Sequence, residues 1–498
     1  MRERRRTDPL RTVALLLTLL AAALRLWGSG EKSLWVDEAQ ALWVAEHEPA
    51  WIVEHCSRLG SHESPARHLL MHWLAGIAPN RASAIRLPAL IGGIALVPLL
   101  WGLGATLGGR AAGFFAALLC ALSPVMVEHS QDARHYTVML ALEFGGLLAL
   151  LAAWRRPWQW GLWIAAGAAS ALAFYVSFTA AFVVGAVGLT LLLLLILPLG
   201  VELTERDALR RGALIGIVSL AIPLLPWAMP IARAVAQYVG LLSPPPPEVM
   251  ATGVTALGER FVPEWSSRWT QELLHPTLWG SLLMAVGVLI GLWSALRHQP
   301  RHLVPLVLIG LLTLGLTMGT AMRHSLAPRY LLHLHALALT LCGVALGTLW
   351  RMGLGGAIGS ALAAAALTLG FLPTLWTCLT TERQDWRGAV EIIESNFQPH
   401  DIILTGAYWS ERPVQHYIAE PQVAAAVRPH VMAEADFEMA LMVHSSVWYI
   451  GWGEIPPFIQ EHLDREFTLI ARLPGTRGDV FVYKRGPLPS PAEPEEQS

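Results

Sequence analysis

Residues 179–199 read TAAFVVGAVGLTLLLLLILPL, a run without a single charged side chain. In a helix, about 20 consecutive apolar residues span the hydrocarbon layer of a bilayer. The same criterion marks further apolar runs near residues 10–28, 84–107, 111–127, 135–153, 160–177, 212–231, 276–296, 303–321, 329–350 and 354–376. The sequence therefore predicts a mainly α-helical membrane bundle of about 11 spans.

The composition of the whole chain supports a membrane protein. Of 498 residues, 54% are hydrophobic and only 14% are charged, whereas about 25% are charged in a typical soluble protein. The apolar content excludes a disordered chain, and the net charge of −2 excludes a nucleic-acid binder. The four cysteines form no CxxC pair and are predicted to be free thiols in the core.

The loop charges predict the orientation, because short cytoplasmic loops are rich in Arg and Lys. With the N-terminus inside, the loops on that side carry Arg2, Arg4, Arg5, Arg6, Arg110, Arg155, Arg156, Arg206, Arg210, Arg211, Arg297, Arg301 and Arg351. An odd number of spans then places the C-terminus outside. A cleaved signal peptide is the alternative for the first run, but LWGSGEKSLW after it lacks an A-x-A site, so we expect an uncleaved helix.

The predicted domain organisation has a membrane domain over residues 1–376, an outer α/β domain over 377–485 and a disordered Pro/Glu-rich tail over 486–498. Within the membrane domain, a first outside loop covers 29–83 and a second covers 232–275, and their amphipathic segments are expected to lie on the membrane surface. The predicted elements of the α/β domain are helices at 385–396, 412–419 and 457–466 and strands at 401–405, 447–450 and 479–483.

Two adjacent carboxylates, Asp37 and Glu38, stand in the segment LWVDEAQ at the start of the first outside loop. Acidic groups among apolar neighbours at a membrane boundary lose solvation unless they are paired or functional. The alternative is that Asp37 is the N-cap of a helix running through Leu42 and Val44.

The same loop contains SHESPARHLLMHW, with His62, Glu63, His68 and His72. His68 and His72 lie one helical turn apart and could ligate a metal ion, although no third ligand is evident. Histidines at a membrane interface without a metal are the other interpretation.

A third segment, EHSQDARHY over residues 128–136, is dense in ionisable groups between two apolar helices. Continued as a helix, it would place Glu128, Asp132 and His135 on one face and turn Arg134 away. A local surface pair of Asp132 with Arg134 is the alternative. Later, RHSLAPRY adds Arg323 and Arg329 to the outer rim, and arginine suits bidentate phosphate binding.

These segments carry a family likeness. WVDEAQ, HESPARHLLMHW, QDARHYTVMLAL, APRYLLHLHALAL and DWRGAVEII, in this order and in these topological positions, resemble elements of the bacterial GT-C membrane glycosyltransferases. The groups that they resemble include the dolichyl-phosphate-mannose–protein mannosyltransferases and the lipid A aminoarabinose transferases, of glycosyltransferase family 39 and its relatives.

The resemblance implies an inverting transfer of a sugar from a polyprenyl-phosphate donor outside the cytoplasmic membrane of a bacterium. It implies Asp37 as the general base, Glu38 and Asp132 as further catalytic acids, and Arg134, Arg329 and Tyr330 as ligands of the donor phosphate. Arg323 is added to these ligands as the third arginine of the outer rim. His62, Glu63, His135 and Tyr136 would support them. Ser64 stands where the aminoarabinose transferases have Lys, so the sugar stays open. The acceptor (lipid, glycan or protein) and a divalent metal ion also stay open, and no metal ligand is assigned.

The expected partners are therefore the donor, an envelope acceptor and membrane lipids, and no nucleic acid. We expect Asp37, Asp132 and the three arginines to converge in one outer crevice. The main alternative is a flippase that binds a lipid-linked sugar without chemistry. Transporters place ionisable groups near the membrane midplane, whereas the acids and arginines of this chain are predicted to lie at the outer boundary, which favours an enzyme. A third interpretation is that the membrane part only anchors a sensor or assembly domain, but about 11 spans are more than an anchor needs.

Overall fold

The computed structural model of the protein describes residues 9–57, 64–77, 80–197, 203–227, 275–299, 304–312, 315, 328–406, 410–428, 434–453 and 455–487. The chain divides into two compact units. The first unit consists of Met1–Trp27, Pro49–Leu70 and Arg86–Trp376, and the second of Gly28–Glu48, Met71–Ile85 and Thr377–Ser498. Most of the predicted second outside loop (232–275) and of the predicted tail (486–498) lies outside the described residues.

Helices make up most of the chain before residue 381. They are α1 Pro9–Leu26, α2 Val36–Ala45, α3 Pro49–Ser57, α4 Pro65–Ile77, α5 Arg81–Gly108, α6 Arg110–Leu122, α7 Pro124–Ser130, α8 Tyr136–Arg155, α9 Trp160–Val176, α10 Ala181–Ile196, α11 Leu203–Leu224, α12 Leu278–His298, α13 Leu332–Trp350 and α14 Leu354–Thr380. Residues 304–312 are also helical.

Within the described residues, six helices are long and apolar enough to cross a membrane. They are Arg81–Gly108, Tyr136–Arg155, Phe178–Ile196, Leu278–His298, Arg329–Trp350 and Leu354–Thr380. The bent pair α6 and α7 raises the number to seven if it forms one span, and Thr12–Leu26 and Trp160–Val176 are shorter apolar helices. The chain is thus a mainly helical, multi-pass membrane protein, while the count of 11 spans stays a prediction.

The predicted span at 111–127 is not one straight helix. The helix breaks at Ser123 with a bend of 60° because Pro124 begins a new helix, α7. The Ser123 hydroxyl accepts a hydrogen bond from the Met126 amide at 3.4 Å and lies 2.9 Å from Nε2 of His335 on α13. The bend is therefore capped and also tied to a neighbouring helix.

Small residues bring α6 and α13 into backbone contact. A Cβ added to Gly343 would lie 2.5 Å from the Ala116 nitrogen, and one added to Gly347 would lie 2.4 Å from the Ala112 nitrogen. Membrane helices pack through such small-residue faces because lipid supplies no hydrophobic force between them.

The C-terminal part of the second unit is a four-stranded sheet flanked by helices. The strands are β1 Ile402–Thr405, β2 Val447–Trp452, β3 Thr468–Leu473 and β4 Val480–Arg485, in the order β1-β2-β4-β3. β1 pairs with β2 in parallel, from Ile402 opposite Val447, and the other pairs are antiparallel. The helices are α15 Trp386–Asn396, α16 Glu411–Tyr417, α17 Pro421–Ala426, α18 Glu434–Val443 and α19 Pro457–Glu466.

The sheet is covered on both faces, which accounts for its apolar strands. Trp386 and Ile393 of α15 pack on the face of Ile403, Trp448 and Val482, whereas α18 and α19 cover the opposite face around Tyr449. The predicted helix 457–466 is confirmed. Strand β3 and the helices α17 and α18 are additions that the sequence pattern did not reveal.

Candidate functional site

The first acidic element lies at the start of α2. The helix begins at Val36, its N-cap is Trp35, and the N-cap provides no side-chain hydrogen bond. Asp37 is therefore in the first turn, half-buried, and the alternative of Asp37 as the N-cap is wrong. Carboxylates in the first turn of a helix interact favourably with its dipole.

Residues 382–387 and 417 of the same compact unit hold the chain that leads into α2. The Ser33 amide donates to Oε2 of Glu382 at 2.9 Å, and the Leu34 amide donates to the Tyr417 hydroxyl at 2.6 Å. The Val36 amide donates to Oε1 of Gln384 at 3.1 Å. The start of α2 is thus bound by side chains far along the sequence rather than by its own cap.

Glu38 is buried, in contrast to its neighbour Asp37. Its side chain is 0% exposed and lies 3.7 Å from Nη1 of Arg383, which is 2% exposed. Burial also raises the pKa of Glu382, although the Ser33 amide bond opposes this shift. A cation also lies over an aromatic ring at the start of α2. The guanidinium carbon of Arg477 is 4.2 Å from the centre of the Trp35 ring.

The second acidic element is not one continuous helix. α7 ends at Ser130, residues 131–135 form a bend, and α8 begins at Tyr136. The prediction that Glu128, Asp132 and His135 share one helical face is therefore wrong. The alternative of an Asp132–Arg134 surface pair is also wrong, because Asp132 is fully buried.

α7 ends before Gln131 because the Gln131 side chain caps the C-terminus of α1. Its Nε2 donates to the carbonyl oxygens of Leu24, Arg25 and Trp27, the last at 2.8 Å. These are orphan acceptors at the C-terminus of α1. The buried Arg25 side chain binds back to the Ser130 hydroxyl at 3.1 Å and to the Cys120 carbonyl at 3.1 Å.

The structure brings residues of the second acidic element and of the late Arg-Tyr element together. Tyr136 lies within electrostatic range of Arg134, Arg329 and Tyr330. The Arg329 guanidinium carbon lies 5.6 Å from the centre of the Tyr330 ring, and the His135 ring lies 4.4 Å from that of Tyr136. Two predicted phosphate ligands from distant segments thus share one neighbourhood in the first unit.

Close packing fixes the place of this neighbourhood. The Thr137 hydroxyl donates to the Ala89 carbonyl at 2.7 Å, which ties the start of α8 to α5. A Cβ on Gly92 would lie 2.7 Å from the Thr137 carbonyl carbon, so α5 and α8 touch through their backbones. The start of α8, which carries Tyr136, is therefore held against α5.

The remaining predicted site residues belong to the first outside loop and to the segment before Arg329. His62, Glu63 and Arg323 lie outside the described residues. His68 lies 2.8 Å from the Arg67 guanidinium, whereas Nδ1 of His72 lies 2.8 Å from the Ala45 carbonyl. In the part of the chain that the structure describes, no group of three His, Cys, Asp or Glu side chains could hold a metal ion.

Sequence reasoning missed the side chains that bind the motifs. Arg383 and Gln384 stand in TERQDW, which reads as the return of soluble composition after the last span. Arg25 did carry a signal, because a charged side chain in an apolar span indicates a specific partner.

Residues 62–227 match the family model described as dolichyl-phosphate-mannose-protein mannosyltransferase. A comparison with curated protein sequences finds no match. ArnT from Cupriavidus metallidurans in the apo state is a similar solved structure, with a TM-score of 0.53 and 15% identity over 95% of this chain and 98% of that one. The chain has the GT-C glycosyltransferase fold.

Further solved structures agree with this GT-C fold. ArnT bound to undecaprenyl phosphate gives a TM-score of 0.52 at 15% identity, over 95% of this chain and 97% of that one. The Archaeoglobus fulgidus oligosaccharyltransferase complex with Zn and sulfate gives 0.53 at 13% identity, over 88% and 67%. The resemblance to the GT-C membrane glycosyltransferases that was stated from the sequence is confirmed at the level of the fold.

Proposed function

We propose that the chain is an inverting glycosyltransferase that moves a sugar from a polyprenyl-phosphate donor to an acceptor on the outer side of the bacterial cytoplasmic membrane. The observation that carries the proposal is the grouping of Arg134 and Arg329 about Tyr136, at the start of a membrane-spanning helix of a GT-C fold. The proposed orientation has the N-terminus inside and the C-terminal α/β domain outside.

The arginines account for the leaving group. Guanidinium groups bind phosphate through paired, charge-assisted hydrogen bonds. Two of them, with Tyr330 beside Arg329, suit a phosphate whose negative charge grows as the sugar departs. Support comes from ArnT, which shares the fold and has been solved with undecaprenyl phosphate bound. Arg323 completes the proposed phosphate ligands.

Asp37 accounts for the other half of the reaction. Its carboxylate takes the proton of the acceptor hydroxyl while the acceptor oxygen attacks the anomeric carbon. The bond from that carbon to the phosphate oxygen breaks, and its electron pair leaves with the phosphate. Attack opposite the leaving group inverts the anomeric configuration. Asp132 is retained as a second catalytic acid, with His62, Glu63, His135 and Tyr136 in support.

Asp37→Asn tests this assignment, because asparagine keeps the shape of the side chain and cannot take the proton. The full-length protein in proteoliposomes is given a panel of radiolabelled sugars on undecaprenyl phosphate and an envelope extract as acceptor. We expect transfer to fall by about 10²- to 10⁴-fold, with binding of undecaprenyl phosphate unchanged. Wild-type turnover by this variant would remove Asp37 from the mechanism.

The products separate the proposal from its alternative. An inverted anomeric configuration in the product, read by NMR, supports single displacement. Movement of the labelled donor across the bilayer without a new glycosidic bond would identify a flippase instead. Mass spectrometry of envelope glycolipids and glycoproteins, with and without the gene, identifies the sugar and the acceptor.

A further inference from the structure

The buried pair of Glu38 and Arg383 is the starting point. Glu38 is 0% exposed, Arg383 is 2% exposed, and their charged atoms lie 3.7 Å apart. Charged side chains are rarely buried this completely unless an opposite charge accompanies them. Glu38 is therefore an internal group of its unit and is not presented to an acceptor.

The rotation of α2 about its axis follows from this burial. Successive residues of a helix point about 100° apart. With Glu38 directed inward to Arg383, Asp37 is directed to a half-exposed face. A helix rotated by one residue would bury Asp37 and expose Glu38, so the pair selects which carboxylate is presented.

Gln384, next to Arg383, fixes the N-terminus of α2. Gln384 accepts the Val36 amide at 3.1 Å, and this amide is one of the donors that a helix N-terminus leaves unsatisfied. The same side-chain oxygen, Oε1 of Gln384, also accepts a hydrogen bond from Nε1 of Trp386 at 2.9 Å. Val36 also packs into the core cluster that contains Trp386. The start of α2 is thus held on two sides by residues 383–386.

We infer that Arg383 is a positioning residue for the transfer reaction, acting through Glu38 on the presentation of Asp37. The inference rests on the proposed function, because it takes Asp37 as the base. Arg383 holds the charge of Glu38 inward, so that Asp37 alone faces the acceptor hydroxyl. The C-terminal α/β domain then has a part in the reaction, in addition to any recognition of the acceptor.

The test compares Arg383→Gln, Arg383→Lys, Glu38→Gln and the double variant Glu38→Gln/Arg383→Gln in the full-length protein. The assay uses the undecaprenyl-phosphate sugar that the wild-type protein turns over, with undecaprenyl phosphate as the binding probe. Arg387→Gln is the matched control from the same segment, because the guanidinium carbon of Arg387 lies 5.4 Å from the centre of the Tyr417 ring.

We expect Arg383→Gln to lower kcat by about 10²-fold, as small misplacements of a catalytic group do. The KM for the donor and the affinity for undecaprenyl phosphate should stay unchanged. Arg383→Lys should keep part of the rate. The neutral double variant should regain about tenfold or more over Arg383→Gln, because it replaces both members of the buried pair with neutral amides. A purely structural role would change the melting temperature without this split between kcat and KM.

Several outcomes would overturn the inference. One is a wild-type kcat in Arg383→Gln, and another is a loss equal to that of Arg387→Gln. If Arg383→Gln does not fold, a double variant that folds but transfers no faster than Asp37→Asn also contradicts it. Asp37→Asn is measured in parallel to separate the two hypotheses. Full activity there refutes the proposed function, whereas an inactive Asp37→Asn beside an active Arg383→Gln refutes the inference alone.

Discussion

Asp401→Asn is expected to destabilise the second compact unit by about 3–5 kcal/mol, because it breaks a fully buried ion pair. One oxygen of Asp401 lies 2.6 Å from Nζ of Lys484, and these side chains are 0% and 1% exposed. Asp401 also accepts hydrogen bonds from the Ser446 hydroxyl at 2.5 Å, from Nε1 of Trp448 at 2.8 Å and from the Gln398 amide at 3.0 Å. The variant leaves the Lys484 ammonium buried without its counter-charge.

Lys484→Met is the matched comparison, because it removes the other member of the pair. Asp401 would keep its bonds from Ser446, Trp448 and Gln398. The loss should therefore be nearer to that of one hydrogen bond to a charged group, about 1.5–3 kcal/mol. The double variant Asp401→Asn/Lys484→Met should be more stable than Asp401→Asn alone.

Hydrogen exchange of the full-length protein in detergent, read by mass spectrometry, measures these effects in peptides of β1, β2 and β4. Faster exchange confined to these strands is expected, in the order Asp401→Asn, then Lys484→Met, then wild type. Unchanged exchange in Asp401→Asn, or a larger effect of Lys484→Met, would refute the reasoning.

The Asp401 carboxylate should also make the stability of the second unit depend on pH. Burial of Asp401 disfavours its charge, but the bonds from Lys484, Ser446, Gln398 and Trp448 outweigh burial and hold its pKa below the ordinary value. The unfolded chain therefore takes up this proton at a higher pH than the folded chain does. The stabilisation is complete above about pH 4–5 and is lost as the pH falls through the folded pKa. Protection of β1 and β2 should fall in acid in the wild type and less so in Asp401→Asn.

Three further predictions concern the membrane bundle. Arg329→Ala should weaken binding of undecaprenyl phosphate by about tenfold or more, as expected for the loss of a charged hydrogen bond; unchanged affinity in a binding titration would assign Arg329 to packing. Gly92→Ala should destabilise the protein by about 1–3 kcal/mol in thermal unfolding, because its Cβ would meet the backbone of Thr137 and Val138 at 2.7 Å. Gly76→Ala, with open space around its Cβ, is the control, and equal losses would contradict the contact. Glu143→Met should raise stability by about 1–3 kcal/mol, since neither carboxylate oxygen of the buried Glu143 has a hydrogen-bond partner among the described residues; a lower melting temperature would contradict this.

Hydropathy was sufficient to predict the helical bundle, because a membrane demands long apolar segments whatever their partners. It could not show the break at Ser123, where a local N-cap and Pro124 interrupt a run that is apolar throughout. It also missed β3, an edge strand of exposed and half-buried residues whose sequence, TLIARL, does not alternate between apolar and polar side chains.

The candidate site was predictable in its residue types but not in its local geometry. Density of charge drew attention to residues 128–136, whose role stays a prediction. Helical periodicity failed there because the Gln131 side chain caps α1 in place of continuing α7. Pairings such as Glu38 with Arg383 depend on which distant segments meet. A single sequence does not encode such meetings in any local pattern.

The bond between Gln384 and the Val36 amide also has a temporal aspect. A ribosome delivers residues in order, so the helix that carries Asp37 emerges long before the glutamine that completes its first turn. During synthesis this helix therefore lacks both Gln384 and the counter-charge of Glu38. A chain that stops before residue 383 never acquires them, and nascent or truncated copies in the membrane would hold the motif in an unfinished form.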